Sequence, residues 1–342
     1  MAAELLSICL LICSSTLILV DSSLRIGDLT FVVVVYRHGD RSPIDTYPTD
    51  PYKDTVWDNG LQQLTQVGIR QQYELGKYLR MRYDQFLSPM YKKEEIYVRS
   101  TDYDRTLMSA QANLAGLYPP NGTQQWHPDI PWQPIPVHTV PISQDRLLKF
   151  PSKDCPRFNE LMKETIQLPE YQNRMNVWKD FIARIANITG YSVDQADPRR
   201  LGTVYDTLFC QHDSTILALQ GALGIYSGIH PPYASCHIFE FYKESDGSYS
   251  VGMFYRNETH EPYELALPGC TSPCPLELFS QLLAPILPLD WWKECRIQEQ
   301  RQKSDGTILA LSIVVGILSI TLAAGLFWIW KSHPGQSHPV FH

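Results

Sequence analysis

Apolar and polar segments alternate along the chain in a way that predicts strands and helices in turn. Residues 31–35 (FVVVV) form a continuous apolar run, which is typical of a strand buried on both faces of a sheet. A helical pattern follows over residues 61–83, residues 96–98 (IYV) predict a second buried strand, and residues 107–117 predict a helix. This order predicts an α/β fold with a largely parallel sheet and helices on both faces.

The later part of the chain has two further patterns. Residues 160–209 carry an amphipathic helical pattern, so we expect several helices there. Residues 237–256 alternate and are aromatic, and Asp246 and Gly247 separate the two runs. An Asp-Gly pair between alternating runs predicts a β-hairpin.

The two ends of the chain predict an exported membrane protein. Residues 5–20 are apolar or small, which suits the core of a signal peptide over residues 1–21. Residues 308–330 contain no charge and are long enough to cross a bilayer, with a buried core helix as the alternative. We therefore expect a single-pass type I protein, with a lumenal or extracellular domain over residues 22–307 and a cytoplasmic tail over residues 331–342.

Cysteines and glycosylation sequons support export. Six cysteines outside the signal peptide predict disulfides, although six cysteines allow fifteen pairings. A zinc site is the alternative, but no Cys-x-x-Cys spacing occurs. Three Asn-x-Ser/Thr sequons are candidate glycosylation sites, at Asn121, Asn187 and Asn257.

The first predicted strand leads into a loop with two arginines, a histidine and a glycine within five positions. A ligand of an α/β sheet lies beyond the carboxyl end of a strand, where guanidinium groups can hold phosphate oxygens. Arg37 and Arg41 are therefore candidate phosphate ligands, and His38 between them is a candidate nucleophile. The alternative is a surface turn in which both arginines are salt-bridged to Asp40 and Asp45.

A second motif, RSTDYDRT over residues 99–106, stands at another predicted strand-to-helix junction. Its Arg105 could supply a third guanidinium to the same anion. The alternative is a surface pair with Asp102 or Asp104, which would contribute little.

A third motif, His212-Asp213, precedes an apolar helical run. Helix capping is the structural role open to Asp213. The functional alternative is that His212 binds phosphate and that Asp213 is a general acid.

The string Arg-His-Gly-x-Arg-x-Pro, which begins at Arg37, resembles the signature of the histidine acid phosphatases, a branch of the phosphoglycerate-mutase-like superfamily. Residues 99–106 and the His-Asp pair are similar to two further motifs of that family, and the resemblance covers nearly all of residues 28–295. It is a resemblance to the membrane-anchored lysosomal and testicular types. It implies an α/β, phosphoglycerate-mutase-like mixed sheet flanked by helices, with a truncated helical cap.

The resemblance also implies a chemistry that needs neither a cofactor nor a metal. His38 attacks phosphorus and becomes a phosphohistidine, while Asp213 protonates the leaving oxygen and then deprotonates water. The implied phosphate ligands are Arg37, Arg41, Arg105 and His212. The implied disulfides are Cys155–Cys295, Cys210–Cys236 and Cys270–Cys274.

The expected partners follow from this chemistry and from the charge. The substrate is a small-molecule or protein phosphate monoester, and one C-terminal helix contacts the membrane. The formal net charge of −7 and the lack of a basic run argue against nucleic acid. A second copy of the chain, forming a homodimer, is a further candidate partner. The expected location is the lysosomal membrane or the cell surface.

The resemblance breaks at one point. In the family a long segment and an apolar strand precede the His-Asp pair, whereas here Gln211 is followed directly by His212. Several tens of residues are therefore expected to be missing at this junction. Losing a central strand would uncover core surface and weaken the support of His212 and Asp213. The main hypothesis is an acid phosphatase, and the alternatives are a catalytically impaired splice-type membrane glycoprotein and a phytase or mutase of the wider superfamily.

Overall fold

The computed structural model describes residues 27–53, 57–149, 155–192, 198–209, 214–257 and 261–296. The strands are β1 (Asp28–Tyr36), β2 (Cys236–Lys243), β3 (Tyr249–Arg256), β4 (Tyr263–Leu265) and β5 (Cys274–Pro275). The helices are α1 (Gln66–Arg82), α2 (Asp104–Leu117), α3 (Pro156–Gln167), α4 (Pro169–Val177), α5 (Lys179–Thr189), α6 (Pro198–Phe209), α7 (Ser214–Ala222), α8 (Leu276–Leu283) and α9 (Trp291–Glu294). The predicted α/β class, with a sheet flanked by helices, is confirmed.

The sheet is built on the predicted hairpin. Strands β2 and β3 pair antiparallel, β1 pairs antiparallel with β2, and β4 and β5 both pair with β3. The hairpin turn has Gly247 at φ +87°, a left-handed conformation that glycine adopts without steric cost. The Asp246 side chain accepts a 2.9 Å hydrogen bond from the backbone N–H of Ser248. Asp246 and Gly247 therefore form the hairpin turn that the sequence predicts.

The first strand differs from its prediction. None of the nine residues of β1 is fully buried, and the side chain of Phe31 is 59% exposed. In the described part of the chain β1 pairs with β2 alone, so only one of its edges is hydrogen-bonded to a neighbour. The prediction of a strand buried on both faces was therefore wrong, because such burial needs a central position in the sheet.

The second predicted strand was also wrong. Residues 96–98 form no strand, and Tyr97 is 70% exposed. Next to them Arg99 makes a single parallel bridge to His138. The sheet in the described residues is consequently antiparallel, and the predicted largely parallel pairing is not found there.

Helices α1 and α2 form the layer behind β1 and β2. Thr65 caps α1, since its hydroxyl accepts a 3.1 Å hydrogen bond from the N–H of Gly68. The two helices approach so closely that a Cβ on Gly76 would lie 1.9 Å from the carbonyl oxygen of Asn113. The main hydrophobic core lies between these helices and the sheet, and its most buried members include Leu75, Leu114, Cys236 and Ile238.

A second, smaller hydrophobic core lies against strand β3. Met253 of β3 packs there with Leu223 and Leu267, and with side chains of α8. The helical pattern predicted for residues 160–209 is confirmed by α3, α4, α5 and α6.

The chain divides into two compact units. Among the described residues, one unit contains those within 27–149 and 181–287, and the other contains those within 155–180 and 288–296. Within the second unit, a disulfide joins Cys155 to Cys295, and Arg296 forms a 2.8 Å ion pair with Glu160. The strands and all of the site described below belong to the first unit.

No helix within the described ranges is both long and apolar enough to span a bilayer. The predicted signal peptide (residues 1–21) and membrane helix (residues 308–330) lie outside the described residues.

Candidate functional site

The loop that follows β1 is held by backbone contacts on two sides. The N–H of Arg37 donates to the carbonyl of Ser235 at 3.0 Å, and the N–H of Ala234 donates to the carbonyl of His38 at 3.2 Å. From helix α1, Gln72 donates its amide N–H to the carbonyl of Arg37 at 2.7 Å. These bonds fix the backbone of Arg37 and His38 to residues 234 and 235, just before β2, and to helix α1.

Two glycines bring the loop against α1. A Cβ on Gly39 would lie 2.2 Å from the carbonyl oxygen of Gly68, and a Cβ on Gly68 would lie 2.1 Å from the carbonyl oxygen of Asp40. Only glycine fits at either position, because both clashes are with backbone atoms. The Asp40 carboxylate accepts a hydrogen bond from the hydroxyl of Thr65, the α1 cap. The loop and the start of α1 therefore form one packed unit.

The orientation of the His38 ring is set by its own loop. Its Nδ1 lies 2.7 Å from the carbonyl oxygen of Gly39. A carbonyl oxygen only accepts hydrogen bonds, so Nδ1 carries the proton and the lone pair of the neutral ring is on Nε2. This is the tautomer that an Nε2 nucleophile requires.

The surroundings of His38 favour the neutral ring. Burial is the main cause that holds the pKa of this imidazole well below its usual value of 6.5. The positive charges of Arg37, Arg41 and Arg105 lower the pKa of the ring further, while the bond to Gly39 acts in the opposite direction. The side chain therefore stays unprotonated, and able to attack, in mildly acidic solution.

Arg37 lies inside the protein and not on a surface turn. It is 1% exposed, its Nη1 donates to the carbonyl of Pro231 at 2.7 Å, and its guanidinium stacks 4.1 Å from the centroid of the Tyr233 ring. The same ring lies 5.7 Å from that of His38. Cation–π stacking and a carbonyl acceptor thus fix the guanidinium beside the imidazole.

Arg41 is also 1% exposed, and its partner is Asp206 of α6. The two guanidinium nitrogens Nη1 and Nη2 lie 3.1 and 2.7 Å from the two carboxylate oxygens. The sequence suggested Asp40 and Asp45 as partners for a surface turn. Those carboxylates instead accept from Thr65 and from the N–H of Thr46. The surface-turn alternative was therefore wrong.

Arg105 enters the site from the first turn of α2. The side chain is half-buried and its guanidinium lies 4.6 Å from the Tyr103 ring centroid. The Ser109 hydroxyl connects this turn to the loop, because it donates to the carbonyl of Arg105 at 2.7 Å and accepts from the N–H of Gly39 at 3.2 Å. The positive charges of Arg37, Arg41 and Arg105 thus all act on one imidazole.

The predicted acid and fourth phosphate ligand cannot be placed in this geometry. His212 and Asp213 lie outside the described residues, and α7 begins at Ser214. Sequence reasoning missed Asp206, Tyr233 and Ser109. Asp206 lies in α6, and nothing in a single sequence shows that its carboxylate meets a loop 165 residues away.

Two of the three implied disulfides are present. Cys155–Cys295 and Cys270–Cys274 have Cα–Cα separations of 4.7 and 5.7 Å, both ordinary for a disulfide. The implied Cys210–Cys236 bond is not formed, since Cys236 carries a free thiol. That thiol points into the main core at the first residue of β2 and is 0% exposed, and Cys210 lies outside the described residues.

The sequons differ in their accessibility. Asn121 and Asn187 are exposed, and Asn187 lies within helix α5. Asn257 follows β3 and is half-buried. Two of the three positions are thus open to a glycan on the surface of the described structure.

The chain is similar in sequence to known proteins. The sequence model of the histidine phosphatase superfamily (branch 2) matches residues 28–190. Bovine prostatic acid phosphatase is 42% identical, with coverage of 89% of this chain and 97% of the relative. Human lysosomal acid phosphatase is 41% identical with 92% of each chain covered, and mouse testicular acid phosphatase is 40% identical with 92% and 93% covered.

A solved structure shows the same fold at lower identity. The phytase from Citrobacter braakii superposes with a TM-score of 0.54 over 78% of this chain and 99% of its own, at 17% identity.

The alignments also show a difference in length. The match to the bovine relative extends over 376 residues, whereas 89% of this chain is about 304 residues, so about 70 positions have no counterpart here.

Proposed function

Because the chain belongs to branch 2 of the histidine phosphatase superfamily, we propose that it is an acid phosphatase that hydrolyses phosphate monoesters through a phosphohistidine on His38. The observation that carries the proposal is the state of that imidazole. It is half-buried and fixed by Gly39 with its lone pair on Nε2, and desolvation, aided by the positive charges of three arginines, lowers the pKa of the ring and keeps it neutral.

The proposed reaction has two steps. In the first, Nε2 of His38 attacks phosphorus, the bond to the leaving oxygen breaks, and Asp213 gives that oxygen a proton. In the second, water attacks the phosphohistidine, the P–N bond breaks, and the Asp213 carboxylate takes the proton of the water. Arg37, Arg41, Arg105 and His212 are the proposed ligands of the phosphoryl oxygens, whose negative charge they stabilise.

The pKa of His38 supports activity in acid. The imidazole must be neutral to attack, and its lowered pKa keeps it neutral below pH 6.5. The general acid must carry a proton, which a carboxyl group does increasingly as the pH falls. Both requirements are met together only in acidic solution, so a bell-shaped pH profile is expected.

The relatives favour this function over the other two. Acid phosphatases share about two-fifths of their residues with this chain, whereas the phytase shows a likeness of fold alone. The half-buried imidazole of His38, with two buried arginines and one half-buried arginine acting on it, also favours a phosphate site over the impaired glycoprotein, because such a cluster of positive charge is costly to maintain without a ligand.

We further propose that the positions absent from this chain lie between Gln211 and His212. The support is the alignment length together with the position of β1, which pairs with β2 alone in the described residues. An apolar strand with one open edge is the expected result of losing a neighbouring strand. Insertion of the relatives' segment at this junction should then raise phosphatase activity and the thermal midpoint, and equal values for the two forms would contradict the proposal.

The proposal extends to the location and assembly of the protein. The two disulfides and the two exposed sequons suit an oxidising, exported compartment. A lysosomal or cell-surface type I protein, anchored by residues 308–330 and without a nucleic-acid partner, is the arrangement we propose. A homodimer is proposed as its assembly.

The test is a direct activity assay with a matched control. Wild-type protein should hydrolyse p-nitrophenyl phosphate at acid pH, and His38→Ala should abolish hydrolysis while leaving the thermal midpoint near that of wild type. His127→Ala provides the control, because this exposed histidine lies in the loop before Ile130 and its loss should leave hydrolysis unchanged. Substantial hydrolysis by His38→Ala would overturn the proposed function.

A further inference from the structure

Asp206 of α6 holds Arg41 of the phosphate loop by two hydrogen bonds. Given the proposed function, on which this inference rests, we propose that Asp206 is a positioning residue. Its carboxylate binds the Nη1/Nη2 edge of the Arg41 guanidinium and thereby turns the adjoining edge, Nε and Nη2, toward a phosphoryl oxygen.

The contact between the two side chains is a buried, bidentate ion pair. Nη1 and Nη2 of Arg41 lie 3.1 and 2.7 Å from Oδ2 and Oδ1 of Asp206. The side chains are 0% and 2% exposed, so water does not compete for these bonds. A bidentate fork fixes both the position and the rotation of the guanidinium plane.

The carboxylate has a second attachment. The backbone N–H of Ile44 donates to Oδ2 of Asp206 at 2.8 Å. Ile44 comes three residues after Arg41, so one carboxylate holds both the side chain of the loop arginine and the backbone that leaves the loop. Helix α6 is thus a fixed support for this end of the loop.

A count of hydrogens shows which part of Arg41 is left for a ligand. The guanidinium has five N–H groups. The two on Nη1 are directed to Asp206 and to the carbonyl of Ser42, 2.9 Å away, and one on Nη2 is directed to Asp206. The remaining two N–H groups are on Nη2 and Nε, which lie along one edge of the planar guanidinium.

The Nε of Arg41 is buried and has no hydrogen-bond partner among the described residues, a feature that it shares with the Nε of Arg80, Arg99 and Arg256. What distinguishes Arg41 is its location, because its charge acts on the ring of His38. Buried charged donors are almost always paired in folded proteins, and an unpaired one calls for an explanation such as a ligand. A phosphoryl group with two oxygens facing Nε and Nη2 would complete the pairing with a second bidentate contact.

The positive charge of Arg41 also acts on His38, the proposed nucleophile. It is one of the charges that lower the pKa of the His38 ring, so the guanidinium is close enough to act on the group bound there. An ion pair that served stability alone would not require this location. Arg99–Asp145 is a second arginine–carboxylate pair that serves for comparison, with a 2.9 Å bond and a carboxylate that is 1% exposed.

The experiment measures phosphate affinity in two matched variants of the full-length protein. Asp206→Asn keeps the size of the side chain but loses the charge and one acceptor, and Asp145→Asn makes the same change at the comparison pair. The inhibition constant for inorganic phosphate, as a competitive inhibitor of p-nitrophenyl phosphate hydrolysis, is measured with the thermal midpoint. Asp206→Asn should raise that constant on the order of tenfold, whereas Asp145→Asn should lower the thermal midpoint and leave the constant unchanged.

A double-mutant cycle tests whether Asp206 acts through Arg41. In an Arg41→Ala background, Asp206→Asn should not weaken phosphate binding any further, because the group it positions is gone. Asp206→Glu, which restores the carboxylate, should recover part of the affinity lost in Asp206→Asn. If Asp206→Asn does not fold, Asp206→Glu alone decides the question, since a longer carboxylate displaces the fork and should still raise the inhibition constant.

The outcomes separate this inference from the proposed function. Active wild-type protein with an unchanged inhibition constant in Asp206→Asn and Asp206→Glu would overturn the inference and leave the phosphatase assignment intact. Equal loss of affinity in the Arg41→Ala background would also overturn it. A wild-type protein that neither hydrolyses the ester nor binds phosphate would instead refute the proposed function on which it rests.

Discussion

Replacement of Gly39 by alanine tests the positioning of the nucleophile most sharply. Gly39 follows His38 directly, and its carbonyl oxygen is the acceptor that orients the imidazole. A Cβ at this position would lie 2.2 Å from the carbonyl oxygen of Gly68, and 2.6 Å from both its carbonyl carbon and its Cα. All three are backbone atoms of α1, so no side-chain rotation relieves the clash.

The size of the effect follows from these distances. An ordinary contact begins at 3.4 Å, so the loop and α1 must separate by about 1 Å to admit the methyl group. A displacement of about 1 Å in a catalytic group can cost roughly 100-fold in rate. Because the loop also carries Arg37 and Arg41, we expect Gly39→Ala to lower kcat/KM by about that factor and to weaken phosphate binding too.

The assay is kcat/KM for p-nitrophenyl phosphate at acid pH, together with the thermal midpoint. Gly221→Ala is the control, since Gly221 lies in α7 with nothing within 4 Å of its added Cβ. The control should keep full activity, and a helical Gly-to-Ala change should raise stability by about 0.5–1 kcal/mol. If a folded Gly39→Ala variant had the kcat/KM of wild type, the close approach of loop and helix would not be what positions the imidazole.

Three further predictions concern the site and the cores. Arg41→Lys should lower kcat/KM at least about tenfold, because an ammonium cannot hold the Asp206 fork and a phosphate fork at once; activity equal to wild type would remove Arg41 from the site. Gly76→Ala should lower the free energy of unfolding, measured in urea, by about 2 kcal/mol or more, since its Cβ would lie 1.9 Å from the carbonyl oxygen of Asn113. An unchanged urea midpoint would contradict the close packing of α1 against α2. Burial lowers the pKa of His237 from 6.5 to about 4, so its stabilising contribution is present above pH 6.5 and is lost as the pH falls toward 4. The free energy of unfolding of wild type should therefore fall by about 3 kcal/mol more than that of His237→Gln between pH 7 and pH 4. Equal decreases in the two proteins would contradict this prediction.

Local signals in the sequence predicted those parts of the fold that depend on neighbouring residues. The hairpin followed from Asp246-Gly247, and the helix of residues 104–117 followed from its apolar spacing. The loop arginines and His38 could be singled out because they are adjacent in the sequence and follow a strand. These features need no knowledge of distant contacts.

Features that depend on distant contacts could not be read in the same way. A run of five apolar residues looks the same in a central strand and in β1, whose burial is set by the strands available to pair with it. The free thiol of Cys236 lies buried in the core, and the pairing of Arg41 with Asp206 joins residues 165 positions apart. Single-sequence patterns carry no record of such pairs.

The covalent intermediate is the claim on which the whole account depends. Protein mixed with a phosphate ester carrying labelled phosphorus is quenched in alkali within the first turnover, and the labelled peptide is identified. A phosphohistidine on His38 predicts label on the peptide that contains this residue, stable in alkali and released by acid, and no label in His38→Ala. Label on another residue, or steady hydrolysis by a protein that never becomes labelled, would contradict it.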